Sequence, residues 1–166
     1  MDNHPDASCT DYVSLLASSL KLRPTGRPIS FRLYFVSPTR FADGPLPNVY
    51  TIFADLTARW EHFSGAPFPQ PLDGFFVRHM EITQHDISGD ARGFDGSLRF
   101  RIHPPRRSGE HARREWQYGQ QMTRTLTNFA FYAGIGEGIQ RGAGQVRLQR
   151  PDHAHTARRL AADAAE

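Results

Sequence analysis

FAFYAGIGEGIQRGAGQVRL, residues 129–148, carries five glycines within eleven positions: Gly134, Gly136, Gly138, Gly142 and Gly144. The residues before them keep an apolar stripe at helical spacing, and QVRLQ after them alternates like a strand. Nucleotide-binding glycine loops of the Rossmann and P-loop kinds run strand, glycines, helix, so that phosphate meets a helix N-terminus. The order here is helix, glycines, strand, and no Lys-Ser or Lys-Thr pair follows, which argues against dinucleotide and triphosphate binding. What remains is backbone able to approach a partner closely, because glycine tolerates positive φ. Successive free N–H groups in such a loop would form a concavity suited to a phosphodiester. A helix C-cap with a turn accounts for one or two glycines; five, spaced G-I-G and G-A-G, ask for more.

Working back from the loop, a long helix is predicted from Glu110 to Ala133, burying Trp116, Met122, Leu126, Phe129, Ala130 and Ala133. Ser97 to His103 reads as a strand with Leu98, Phe100 and Ile102 inward and Arg99, Arg101 and His103 outward. SGDARGFDG joins it to an earlier strand, Gly74 to Ile87. Asn48 to Phe63 is an amphipathic helix. Ile29 to Phe35 is a strand with Arg32 and Tyr34 turned away from the core, and Gln145 to Gln149 is the last strand. The order β-α-β-β-α-β predicts an α+β, ferredoxin-like (RRM-like) fold: a four-stranded antiparallel sheet with two helices on one face. The domain expectation is a lead-in at 1–28, the folded unit at 29–149, and a flexible tail at 150–166.

In that topology the first and third strands are central, so Arg32, Tyr34, Arg99, Arg101 and His103 share the open face. RNA-recognition modules of this topology stack bases on the same two strands. A solvated polar face gives the same alternation; three outward cationic-capable residues on one strand, continuing into Arg106, Arg107, Arg113 and Arg114, favour nucleic acid.

Composition agrees with a single soluble domain. The 166 residues are 39% hydrophobic with a formal net charge of +3, and no run approaches a membrane span or a signal-peptide core; a cytoplasmic location without membrane contact is expected. Lys21 is the only lysine among twenty basic residues. Arginine suits phosphate and bases, although GC-rich codon usage explains most of the excess. Cys9 stands alone and receives no role.

The strand Ile29–Phe35 running into Ser37-Pro38-Thr39, and FAFYAGIG opening onto GIGEGIQRGAGQ, resemble the CRISPR-associated endoribonucleases that process repeat RNA, the sixth Cas family. The resemblance is to their C-terminal ferredoxin-like domain, over roughly Ile29 to Leu148. Gly134-Ile-Gly136, five residues, then Gly142-Ala-Gly144 matches the family's double-glycine signature, with its basic residue at Arg141. Members usually carry two such domains in tandem, with the catalytic histidine commonly in the first; here about 28 residues precede the recognised domain. A miniature or split enzyme, a non-catalytic RNA-binding subunit and a truncated copy are the resulting alternatives.

The resemblance implies metal-independent cleavage, in which a 2′-hydroxyl attacks the adjacent phosphate, and no cofactor. Such chemistry needs a base, an acid and a cation, and histidine titrates in the right range. The catalytic candidates, in order, are His79, His103 and His85. His79 and His85, with Glu81 between them, share one parity of the second strand and are expected to project together. Tyr34 or Tyr132 is a candidate hydrogen-bonding assistant. His4, His153 and His155 fall in the expected flexible ends, and no tight metal-ligand spacing occurs. RNA contacts are expected from the five loop glycines, Arg141, Arg124, Arg32, Tyr34, Arg99 and Arg101. Partners expected are repeat RNA, a second copy of the chain or other Cas subunits.

Overall fold

The computed structural model describes residues 11–21, 27–42, 47–90, 93–105 and 109–149. Cys9, His4, Arg106, Arg107, His153, His155 and the expected tail lie outside the described residues. The elements run α1 (Tyr12–Leu20), β1 (Ile29–Thr39), α2 (Val49–Ser64), α3 (Asp73–His79), β2 (Met80–Asp90), β3 (Gly93–Ile102), α4 (Glu110–Ala133) and β4 (Val146–Gln149). The sheet is antiparallel in the order β2-β3-β1-β4, which is the expected ferredoxin-like arrangement.

Alternation sets the layers. On β1 and β3, Leu33, Phe35, Leu98, Phe100 and Ile102 are buried. Phe53 of α2 meets Phe100 edge-on, ring centroids 5.7 Å apart, while Leu126 and Phe129 of α4 complete the same core. Both helices therefore cover one face. Asn48 caps α2 by accepting the Thr51 N–H at 2.8 Å, and Gly65 closes it in the left-handed region. The α1 segment is docked: Tyr12 packs edge-on to Trp60 of α2 at 5.3 Å and against Phe129 of α4 at 5.8 Å.

Two expectations about the middle of the chain are corrected. GFFVRH is helix α3, not the start of the second strand, because Leu72, Phe75 and Phe76 bury at helical spacing. Phe75 lies so close to α4 that a Cβ on Gly119 would overlap its ring. SGDARGFDG is also not a long connection: β2 runs to Asp90 and β3 starts at Gly93.

Candidate nucleic-acid interface

All five loop glycines adopt positive φ, between 68° and 85°, so the sequence pattern has a backbone cause. Their amides, however, are largely spent within the protein. Ile135 donates to Gly144 O at 2.8 Å, Glu137 to Arg40 O at 2.8 Å, Gly144 to Pro38 O at 3.0 Å and Gln145 to Ser37 Oγ at 2.9 Å. Gly136 N–H donates to Asp55 Oδ2 at 2.8 Å, and Arg59 Nη2 returns a bond to Gly136 O at 2.6 Å. Asp55 and Arg59 also pair with each other at 2.9 Å, so one turn of α2 clamps the loop at Gly136. An added Cβ on Gly136 would stand 2.5 Å from Arg40 O, and one on Gly144 would overlap Ile135 O.

The expected row of free amides is thus corrected. Among the described residues only Gly138, Ile139 and Gln140 keep loop N–H groups without a protein acceptor. Gly136 lets the loop lie flush on the end of β1, while Gly134 and Gly144 let the loop close on itself. Arg141 is exposed at the loop's rim, across a hollow from Arg40, which pairs with Glu137 at 3.2 Å.

The sheet face away from the helices carries the arginines. Arg32 stands opposite Arg99 on one side and Gln149 on the other, and Gln84 completes that row. Tyr34 stands between Ser97 and Arg147 in the next row, and Arg101 pairs with Ser30 and Glu81. Arg32 is held by Gln84 at 3.0 Å and sits 5.9 Å over the Tyr34 ring. Arg147 was missed by the sequence reading, although the parity of VRLQ places it outward. The clamp pair Asp55 and Arg59 was missed too; only an acid and a base four apart on a helix hinted at it. Arg124 does not join this face. It lies in the helix layer on α4, where burial lowers its pKa.

The histidines separate. The strand expected to align His79, Glu81 and His85 is broken twice: His79 ends α3, and Thr83 is an extra residue between the pairs Ile82–Phe100 and Gln84–Arg99. That bulge switches parity. Glu81 shares the arginine face with Arg101, whereas His85 pairs with Leu98 and lies toward the helix side of the edge strand. His79 and His103 do come together. His103 N–H donates to His79 O at 2.7 Å, and His79 Nδ1 lies 3.1 Å from His103 O, which also accepts from Trp116 Nε1 at 2.9 Å. A carbonyl only accepts, so the proton is on His79 Nδ1. His103 Nε2 lies 2.7 Å from Glu81 Oε1 as an ion-pair contact rather than an aligned hydrogen bond.

This pair sits at the Ile29 end of β1, while the glycine loop bonds to Pro38 and Arg40 at the other. By strand rise the two are about 30 Å apart. Tyr132, the other expected assistant, is not in the core but 46% exposed. Among the described residues no three potential ligands cluster around a metal position, and no helix is long and apolar enough to cross a membrane.

Comparison with solved structures shows the same fold. A histidine-to-alanine Cas6 mutant is 22% identical with a TM-score of 0.67, over 90% of this chain and 61% of that one. A Cas6 product complex is 22% identical with a TM-score of 0.66, over 90% and 62%. Cas6 from Thermus thermophilus is 22% identical with a TM-score of 0.67, over 88% and 61%. The chain therefore spans about three fifths of the length of these structures. No curated protein matches the sequence. The family described as CRISPR-associated endoribonuclease Cas6 matches residues 33–146, from the central strand through the glycine loop into β4. By that match the chain belongs to the Cas6 family.

Proposed function

We propose that the chain binds CRISPR repeat RNA along the free sheet face and takes part in its endoribonucleolytic processing. The carrying observation is the central row: Arg32 faces Arg99 directly, flanked by Gln84 and Gln149, with no carboxylate in the row. Like charges placed opposite each other destabilise a sheet, and a polyanion relieves them. Family membership supports RNA as that polyanion, as do the Cas6 substrate-mimic and product complexes that share the fold.

The cleavage step proposed is metal-independent. The 2′-hydroxyl loses its proton and attacks the adjacent phosphorus; the bond to the 5′-oxygen breaks and that oxygen takes a proton, leaving a cyclic phosphate and a 5′-hydroxyl. His79, with its proton on Nδ1, offers Nε2 as the base. His103, held beside Glu81, is the acid, and Arg101 in the neighbouring row supplies positive charge. A second reading, RNA binding without cleavage, draws on the separation of this pair from the glycine loop. Among the described residues no histidine lines either hollow beside that loop.

Incubation of a labelled repeat hairpin in EDTA decides between them. Cleavage is expected, slowed about 10²- to 10⁴-fold by His79→Ala or His103→Ala. Tight binding with no product selects the second reading, and absence of affinity contradicts both. A second copy or other Cas subunits are carried in the same proposal; a monomer by light scattering at micromolar concentration counts against the homodimer.

A further inference from the structure

Beside the β4 edge, α1, the C-terminal turn of α4 and β4 enclose a hollow of about 390 Å³, within the range of small-molecule sites. Phe131 and Tyr132 line it, 43% and 46% exposed, with their rings edge-to-face at 5.1 Å. Two adjacent aromatic rings left in water are an unusual use of apolar surface unless something stacks on them. Leu15 and Leu148 add apolar wall, and the remaining lining residues, Ser18, Asn128 and Arg147, are polar. Asn128 has no hydrogen-bond partner and Arg147 no carboxylate partner among the described residues, and Ser18, whose hydroxyl donates to Leu15 O at 2.8 Å, presents its oxygen as an acceptor from the α1 side.

Arg147 connects this hollow to the arginine face, because it is the register partner of Tyr34. Cationic surface thus runs from Arg99 and Arg32 across Tyr34 and Arg147 to the aromatic pair. We infer that the hollow is a stacking subsite for one unpaired nucleotide of the bound RNA strand: a base against Phe131 or Tyr132, its edge at the Asn128 amide, its phosphate at Arg147. The inference rests on the RNA-binding reading above and adds a position to it. An aromatic patch of this size also suits a protein partner, but the unpaired arginine and amide match a nucleotide better than an apolar interface.

The test uses the full chain and two repeat hairpins, one blunt and one carrying a single-stranded flank with 2-aminopurine. Phe131→Ala with Tyr132→Ala is expected to weaken the flanked RNA about tenfold or more, leave the blunt hairpin within about twofold, and abolish fluorescence quenching. Phe131→Tyr with Tyr132→Phe, which keeps both rings, retains the effect. Should the double alanine variant fail to fold, Tyr132→Ala alone carries the test. Unchanged flank affinity overturns the inference, as does an equal loss for both RNAs. Conversion of a dimer to a monomer with RNA affinity kept assigns the patch to a protein contact, and displacement of flanked RNA by micromolar AMP makes it a free-nucleotide site; both overturn the strand subsite. Arg99→Gln separates the two claims. If it weakens both RNAs while the aromatic variant weakens neither, only the subsite falls; if it too changes nothing, the RNA-binding reading falls with it.

Discussion

Glycine at five positions has two different causes. Gly136 and Gly144 are forced by backbone: a Cβ on Gly136 would collide with Arg40 O in the loop's seat, and one on Gly144 with Ile135 O within the loop. Gly142 has open space around it and is constrained by its φ of 85° alone. Gly142→Ala should therefore cost about 1–2 kcal/mol of stability, the strain of a left-handed residue, while Gly136→Ala should cost clearly more; urea melts of the two variants check the order. Asp55→Ala leaves the Gly136 amide and Arg59 without their shared acceptor. It should cost about 1–3 kcal/mol, although residue 55 lies far from the loop in sequence. The sequence made the glycine spacing readable but not its cause. Pattern showed that the backbone bends there; only the fold shows that Pro38, Arg40 and Asp55 receive the amides.

The elements were legible wherever one face is buried and the period is clean. β1, β3, α2 and α4 fall where alternation and the helical stripe placed them, to within a few residues at their ends. Reading failed at Gly74 to Ile87, where a short helix and a strand abut without a breaker. Phe75 and Phe76 are buried neighbours, a pair that fits a fully buried strand as easily as a helix turn. The Thr83 bulge then hid the true parity of His85. Gly119 records the same contact from the other side: it is a helix-interior glycine whose missing side chain admits Phe75. Gly119→Ala should destabilise by about 1–3 kcal/mol through overpacking, despite alanine's better helix propensity. Phe75→Leu should recover part of that loss in a double-mutant cycle, and simple additivity would show that the ring is not what the glycine accommodates.

Across the whole molecule, one sheet separates two kinds of chemistry. The helix side holds an aromatic core, and the open side holds four arginines with Tyr34 among them. Their identity as a face was readable from alternation, and the parity of VRLQ offered Arg147 as well; the place of Arg124 in the helix layer follows instead from how α4 packs on the sheet. The histidine pair and the glycine loop mark opposite ends of that face, so an RNA touching both must follow the strands. The direct test is the salt dependence of repeat-RNA affinity for the native chain and for Arg32→Gln, Arg99→Gln, Arg101→Gln and Arg147→Gln combined. Each phosphate contact on a single strand contributes about −0.7 to the slope of log affinity against log salt. The quadruple variant should lose most of the native slope while its thermal unfolding stays cooperative. An unchanged slope in a folded variant would contradict the assignment of the arginine face to RNA.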